Sequence, residues 1–204
     1  MYEVNQIKKT WRTDSLKIAL VYPNRYSAMA GLTIQTLYHL WNAFPDVICE
    51  RFFMPSHELG DDKPQQPSKN FKVSNGTLYP KRRSLESQMS LINFDIIAFT
   101  LCFELDYPNV LWLLQNAGIP YDKHERLLYD RYSKDEDENP EQSEYPLIIC
   151  GGPAVRSNPV ILEPFFDALF LGELEPINSN FISTLLTGKK EYLLKENCSI
   201  YSLY

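Results

Sequence analysis

The sequence predicts an α/β fold: a parallel five-stranded sheet in the order 2-1-3-4-5, with helices on both faces. Three observations carry this. Five short apolar runs alternate along the chain with amphipathic or polar stretches. The runs are nearly continuous in apolar residues rather than alternating, as parallel strands covered on both sides read. Several end in glycine or proline followed by a polar turn, which is how such strands deliver loops to a ligand crevice.

Lys17 to Tyr22 is the first run, ended by Pro23 and Asn24. A helix follows from about Gly31 to Phe44, because Ile34, Leu37, Tyr38, Trp41 and Phe44 recur at helical spacing, with His39 on the opposite face. Pro45 and Asp46 close it, and Val47 to Phe53 is the second strand. Met54 to Pro80 is rich in Pro, Asp, Gln, Ser, Asn and Lys and reads as a long loop. Ser84 is an N-cap for a short helix through Leu85, Met89 and Ile92. Asp95 to Leu101 is the third strand. Asp106 caps the next helix, and Pro108 sits in its first turn, where a missing N–H costs little. Val110, Leu113, Leu114 and Ala117 form its buried stripe, and Gly118 and Pro120 stop it.

Tyr121 to Tyr145, with the acidic block Asp135-Glu136-Asp137-Glu138, reads as a solvated insertion. It lacks the spacing of a calcium loop. Leu147 to Cys150 is the fourth strand and Ala168 to Leu171 the fifth. A last helix, Leu174 to Leu186, carries Leu174, Ile177, Phe181 and Leu185 on one face, and Gly188 ends it. The expected organisation is one domain over 1–190 and an aromatic, apolar tail over 191–204.

A length of 204 residues fits one domain, and 44% hydrophobic residues exclude a disordered chain. A net charge of -6 argues against a nucleic-acid surface, so no DNA partner is expected. Lys81-Arg82-Arg83 is the one compact basic cluster and reads as solvated. Met1 to Ser15 has no signal-peptide pattern, and no apolar run approaches the roughly 20 residues that span a bilayer. A cytoplasmic protein without a membrane partner is expected. Cys49, Cys102, Cys150 and Cys198 are scattered and read as free thiols, not metal ligands. Neither G-x-G-x-x-G nor a P-loop is present, and no Ser-His-Asp or Cys-His arrangement stands out.

A flavodoxin-like, or more broadly Rossmann-like, sheet of this order binds ligands beyond the carboxyl ends of its first, third and fourth strands. That gathers Tyr22-Pro23-Asn24, Thr100-Leu101-Cys102 and Gly151-Gly152-Pro153 around one crevice, with Gly172-Glu173 beside it. Glycines there let backbone approach a bulky ligand. Glu104, just past the third strand, is the carboxylate whose burial would raise its pKa.

Several segments run in one order from about residue 17 to 176. They are Ala19-Leu20-Val21-Tyr22-Pro23-Asn24-x-Tyr26, Gly31-Leu32, Glu50-Arg51-Phe52-Phe53-Met54-Pro55 and Ser84-Leu85-Glu86-Ser87. Then come Phe94-Asp95-Ile96-Ile97-Ala98-Phe99-Thr100, Phe103-Glu104-Leu105-x-Tyr107, Gly118-Ile119-Pro120, Gly151-Gly152-Pro153, Asn158-Pro159 and Asp167-x-x-x-x-Gly172-Glu173-x-Glu175. Together they resemble the N-terminal cobalamin-binding-like domain of radical S-adenosylmethionine (radical SAM) proteins.

The resemblance implies a Rossmann-like accessory domain that precedes a catalytic barrel. In relatives that barrel carries three cysteines holding an iron–sulfur cluster. The triad is absent here, and the chain is expected to stop about where a barrel would begin. By itself it is not expected to cleave S-adenosylmethionine. The implied cofactor is cobalamin, and the implied partner is a radical SAM barrel in the same protein or a separate subunit. Gly151 and Gly152 would make room for the nucleotide tail, and Thr100 would hydrogen-bond it. Tyr22, Pro23, Asn24, Tyr26, Leu101, Glu104, Pro153, Asn158, Gly172 and Glu173 complete the implied cofactor-binding set, with no catalytic residue and no metal ligand.

One departure matters. Relatives that hold cobalt through histidine carry Asp-x-His-x-x-Gly after the first strand. Here that loop reads Asn24-Arg25-Tyr26-Ser27-Ala28-Met29-Ala30-Gly31, without histidine. His39, His57 and His124 lie elsewhere and read as surface residues. Cobalamin would therefore bind without an imidazole from this loop. The alternative is a structural or interaction domain that has lost its cofactor. A crevice filled by Tyr22, Tyr26 or Phe103 would favour that alternative, and an open slot between the first and third strands would count against it.

Overall fold

The structure is a computed structural model that describes residues 5–29, 31–54, 82–132, 145–187 and 200–202. Its elements are β1 (Leu16–Arg25), α1 (Thr33–Asn42), β2 (Val47–Met54), β3 (Ile96–Thr100), α2 (Tyr107–Ala117), α3 (Lys123–Tyr132), β4 (Leu147–Gly151), α4 (Pro153–Ser157), β5 (Ala168–Leu171), α5 (Asn178–Leu186) and β6 (Ile200–Ser202). The sheet is ordered β2-β1-β3-β4-β5-β6 and every ladder is parallel. The predicted 2-1-3-4-5 order is present. A sixth strand extends it: Ile200–Ser202, inside the predicted tail, pairs with Leu169, Phe170 and Leu171.

Alternation along the strands separates two cores. Ile18, Leu20, Ala98, Ile149 and Phe170 face Leu37 and Trp41 of α1 and Phe181, Ile182 and Leu185 of α5. Ala19, Val21, Ile97, Ile148 and Leu169 face Val110, Leu113 and Leu114 of α2 and Ala154 and Val155 of α4. Both faces of the sheet are thus dry, which explains the unbroken apolar strands. Gly118 takes φ +77 at the C-cap of α2, a left-handed turn that glycine adopts without strain.

The amino end of the sheet is pinned by two aspartates in matching contexts. Asp95 Oδ2 accepts the Lys17 amide at 2.7 Å, and Asp167 Oδ2 accepts the Ile148 amide at 2.7 Å. Each carboxylate replaces a ladder partner that the neighbouring strand lacks there.

Arg126 of α3 binds Asp167 Oδ1 at 2.8 Å and donates to the carbonyls of Pro120, Tyr121 and Phe165. This corrects the reading of Tyr121 to Tyr145 as a solvated insertion. Its first part is a helix whose arginine is only 3% exposed, tolerated in the interior because it is paired. The acidic block and most of the 54–80 loop, together with Gly188, lie outside the described residues.

Ser84 does not cap a helix. Gln88 takes φ +62, Arg83 bridges Ser90, and Ser84 Oγ accepts the Met89 amide at 3.0 Å. The segment turns because Glu86 reaches the edge strand. Its Oε1 lies 2.8 Å from Arg51 Nε, and its Oε2 accepts the Arg51 amide at 2.7 Å. The Arg51 guanidinium also stacks 4.0 Å from the Tyr38 ring. Burial pushes the Glu86 carboxyl up, although Arg51 opposes the shift. The last predicted helix is likewise divided: Glu175–Ile177 is a 3-10 turn ahead of α5.

Candidate functional site

The carboxyl ends of β1, β3, β4 and β5 open into a cavity of about 300 Å³ beneath α1 and α5. Leu20, Ala98, Ile149 and Phe170 form its floor, and Leu37, Trp41 and Phe181 its roof. The two roof helices are joined by one buried bond, Trp41 Nε1 to Asn178 Oδ1 at 2.9 Å. Thr33, Thr100, Gly151, Gly152, Pro153, Arg156, Gly172, Glu173 and Glu175 also line the cavity. A second cavity of about 230 Å³ is lined by Tyr22, Met29, Gly31, Ile34, Cys102 and Phe103, and it shares Thr33 and Thr100 with the first.

Thr100 lines both cavities. It ends β3 on the α1 and α5 side, is 5% exposed, and its hydroxyl has no hydrogen-bond partner among the described residues. Arg156, Glu173 and Glu175 are exposed and likewise make no ion pair or hydrogen bond with described residues.

The two glycines have different causes. Gly152 takes φ +113, and a β-carbon on it would stand 2.4 Å from the carbonyl oxygen of Leu101. Its missing side chain makes room for the β3–α2 loop, so backbone packing requires this glycine whether or not a ligand is present. Gly151 is free of that clash, because its nearest contact would be Phe170 Cβ at 3.7 Å.

Asp106 was expected to cap α2, but its carboxylate makes no cap bond. Oδ1 instead accepts Asn24 Nδ2 at 2.8 Å, and Oδ2 is buried without a partner among the described residues. Burial lifts this carboxyl above its ordinary range, and the Asn24 bond opposes the shift. Burial, followed by the charge of Asp106, pushes up the Cys102 thiol. Burial, then Cys102 and Asp106, pushes up the Tyr22 hydroxyl. Asn109 Nδ2 also donates to the Pro23 carbonyl at 2.9 Å, so two asparagine bonds tie the carboxyl end of β1 to the start of α2.

Thr100, Gly151, Gly152, Pro153, Gly172 and Glu173 therefore meet at the first cavity, and Tyr22 and Thr100 at the second. Pro23, Asn24, Tyr26, Leu101, Glu104 and Asn158 line neither. Leu101 is fully buried behind Gly152, and Tyr26 packs edge-on against Phe53, 5.0 Å between ring centres. Glu104 and Asn158 are exposed, and the buried carboxylate of this region is Asp106 instead. Tyr22 donates to the Ala28 carbonyl at 3.2 Å, and the cavities between the strands and α1 stay open.

Sequence reasoning missed Thr33, Trp41 and Arg156. Trp41 fits its helix's apolar stripe equally well as plain core. Arg156 carries one usable signal, one helical turn after Gly152.

His39 and His124 are exposed, and His57 lies outside the described residues. Among the described residues no group of three or more His, Cys, Asp or Glu is placed to hold a metal. No helix among them is long and apolar enough to cross a membrane.

A family model described as "Radical SAM proteins, N-terminal" matches residues 33–202, from the start of α1 to the end of β6. No curated protein and no solved structure matches the chain.

Proposed function

The chain belongs to the family of radical SAM N-terminal domains, and on that footing we propose that it is a cofactor-binding accessory module that takes cobalamin for a radical SAM barrel. The barrel is a further domain of the same protein or a separate subunit. The observation that carries this reading is the open cavity at the carboxyl ends of β1, β3, β4 and β5, lined by Thr100, whose hydroxyl has no partner among the described residues.

The residues fit one part of cobalamin. Floor and roof are apolar and aromatic, suited to a flat base, and Thr100 offers that group a hydrogen bond. At about 300 Å³ the cavity is too small for a corrin ring, which would remain outside the strand ends. Bound cobalamin would supply a cobalt centre that carries a carbon group or electrons. This chain's part is to bind and orient the tail and to keep water from the apolar chamber. It offers no described imidazole near the cavities, so the cobalt would be held without a histidine from the β1–α1 loop.

Gly152 favours a second reading, a scaffold that has lost its cofactor, because Leu101 alone accounts for that glycine. The open cavities weigh against it, since a vacated site gains stability by filling with side chains.

The test is direct. The purified chain is mixed with hydroxocobalamin, desalted, and read by its visible spectrum. A coloured fraction near one corrinoid per chain is expected. Colourless protein would leave the scaffold reading in its place.

A further inference from the structure

We infer that the cavity mouth reads a nucleoside monophosphate, with Arg156 taking the phosphate and Glu173 a ribose hydroxyl. Both side chains line the same cavity, are exposed, and have no partner among the described residues. A guanidinium matches two phosphate oxygens at once and stays charged at every working pH. A carboxylate accepts from a ribose hydroxyl, as an acidic residue does in dinucleotide folds.

The interior independently asks for a ligand of this shape. Trp41, Phe170 and Phe181 give the chamber aromatic walls for a flat ring. Thr100 lines the same space, and its hydroxyl has no hydrogen-bond partner among the described residues. Its volume of about 300 Å³ lies at the lower end of ligand pockets, which run to about 1,000 Å³. Opposite charges at the mouth select further. Glu173 and Glu175 disfavour a bare anion, so a ligand gains only if it presents a phosphate and hydroxyl donors together.

Two sources share this chemistry: the nucleotide tail of cobalamin and a free nucleotide. The first rests on the cofactor reading above, and the second does not.

Equilibrium dialysis of the full chain separates them, using cobalamin, cobinamide (the corrin without its nucleotide), adenosine monophosphate and adenosine. For one source or both, the phosphate-bearing ligand should bind the native chain about tenfold or more tighter than its counterpart. Arg156→Gln should erase that preference by weakening the phosphate-bearing ligand about tenfold, leaving cobinamide and adenosine unchanged. Glu173→Gln should weaken adenosine monophosphate more than its 2′-deoxy form. The inference is overturned if Arg156→Gln changes nothing, if it weakens cobinamide equally, or if neither phosphate-bearing ligand binds. Cobinamide bound as tightly as cobalamin, with no Arg156-dependent binding of adenosine monophosphate, would spare the cofactor reading and end this one. Arg156-dependent binding of adenosine monophosphate without either corrinoid would do the reverse.

Discussion

Gly152 packs against the carbonyl oxygen of Leu101 so closely that a β-carbon would lie 2.4 Å from it. The same oxygen accepts the Ala154 amide at 3.1 Å, so the loop after β3 is tied to the start of α4. Gly152→Ala combines that clash with φ +113 and should cost about 3 kcal/mol or more. Gly151→Ala meets Phe170 Cβ at 3.7 Å and the Phe170 carbonyl oxygen at 3.8 Å, both ordinary contacts, and should cost about 1 kcal/mol or less. Urea midpoints of the two variants check this. Equal losses would contradict the separate causes assigned to the two glycines.

The Arg51–Glu86 pair is buried on both sides, at 0% and 2% side-chain exposure. Removing one partner strands the other charge. Arg51→Met and Glu86→Gln should each cost about 3–5 kcal/mol, and the double variant much less than their sum. Additive losses in denaturant melts would show that the pair is not coupled.

Trp41 and Asn178 join the two roof helices by their 2.9 Å bond. Trp41→Phe leaves Asn178 Oδ1 buried without its donor, at a cost of about 1–3 kcal/mol. Amide exchange should quicken in α5 more than in α2, which packs on the opposite face. Uniform acceleration across both helices would contradict the local role.

Burial holds the Asp106 carboxyl above its ordinary 3.8. The folded chain therefore keeps this proton at a pH where the unfolded chain has lost it. The contribution to stability is full below about pH 3.8 and is lost as pH rises through the raised value. Asp106→Asn should flatten the stability profile above about pH 3.8, where the native chain loses this contribution. Glu86 and Asp167, also raised by burial, keep their slopes in both proteins, so the difference isolates Asp106. Parallel profiles would remove the buried carboxyl from the account.

The sheet was legible in the sequence because strands dry on both faces leave unbroken apolar runs, such as Ile96-Ile97-Ala98-Phe99. The carboxyl-end crevice followed from strand order alone, which is why Thr100 and Gly151-Gly152-Pro153 were found. What escaped depends on contacts between distant segments. Glu86 turns its segment because Arg51 lies across from it, 35 residues earlier in the chain. Asp106 sits at a helix start, where capping is the local expectation, yet Asn24, 82 residues away, claims its oxygen. Arg126 lies in a polar stretch with nothing local to mark it as buried, and its burial depends on pairing with Asp167, 41 residues later. The short run Ile200-Tyr201-Ser202 has too little pattern to announce a strand and is defined by its pairing with β5.

The central claim is that the chamber beneath α1 and α5 holds the ligand, and Trp41 reports on it directly. The chain has three tryptophans, so a proton–nitrogen correlation spectrum shows three indole signals, and Trp41→Phe identifies one of them. On titration with diamagnetic hydroxocobalamin, the Trp41 indole signal should shift while those of Trp11 and Trp112, which lie outside the cavity lining, stay in place. Binding that leaves the Trp41 signal unmoved, or no change in any signal, would contradict the account.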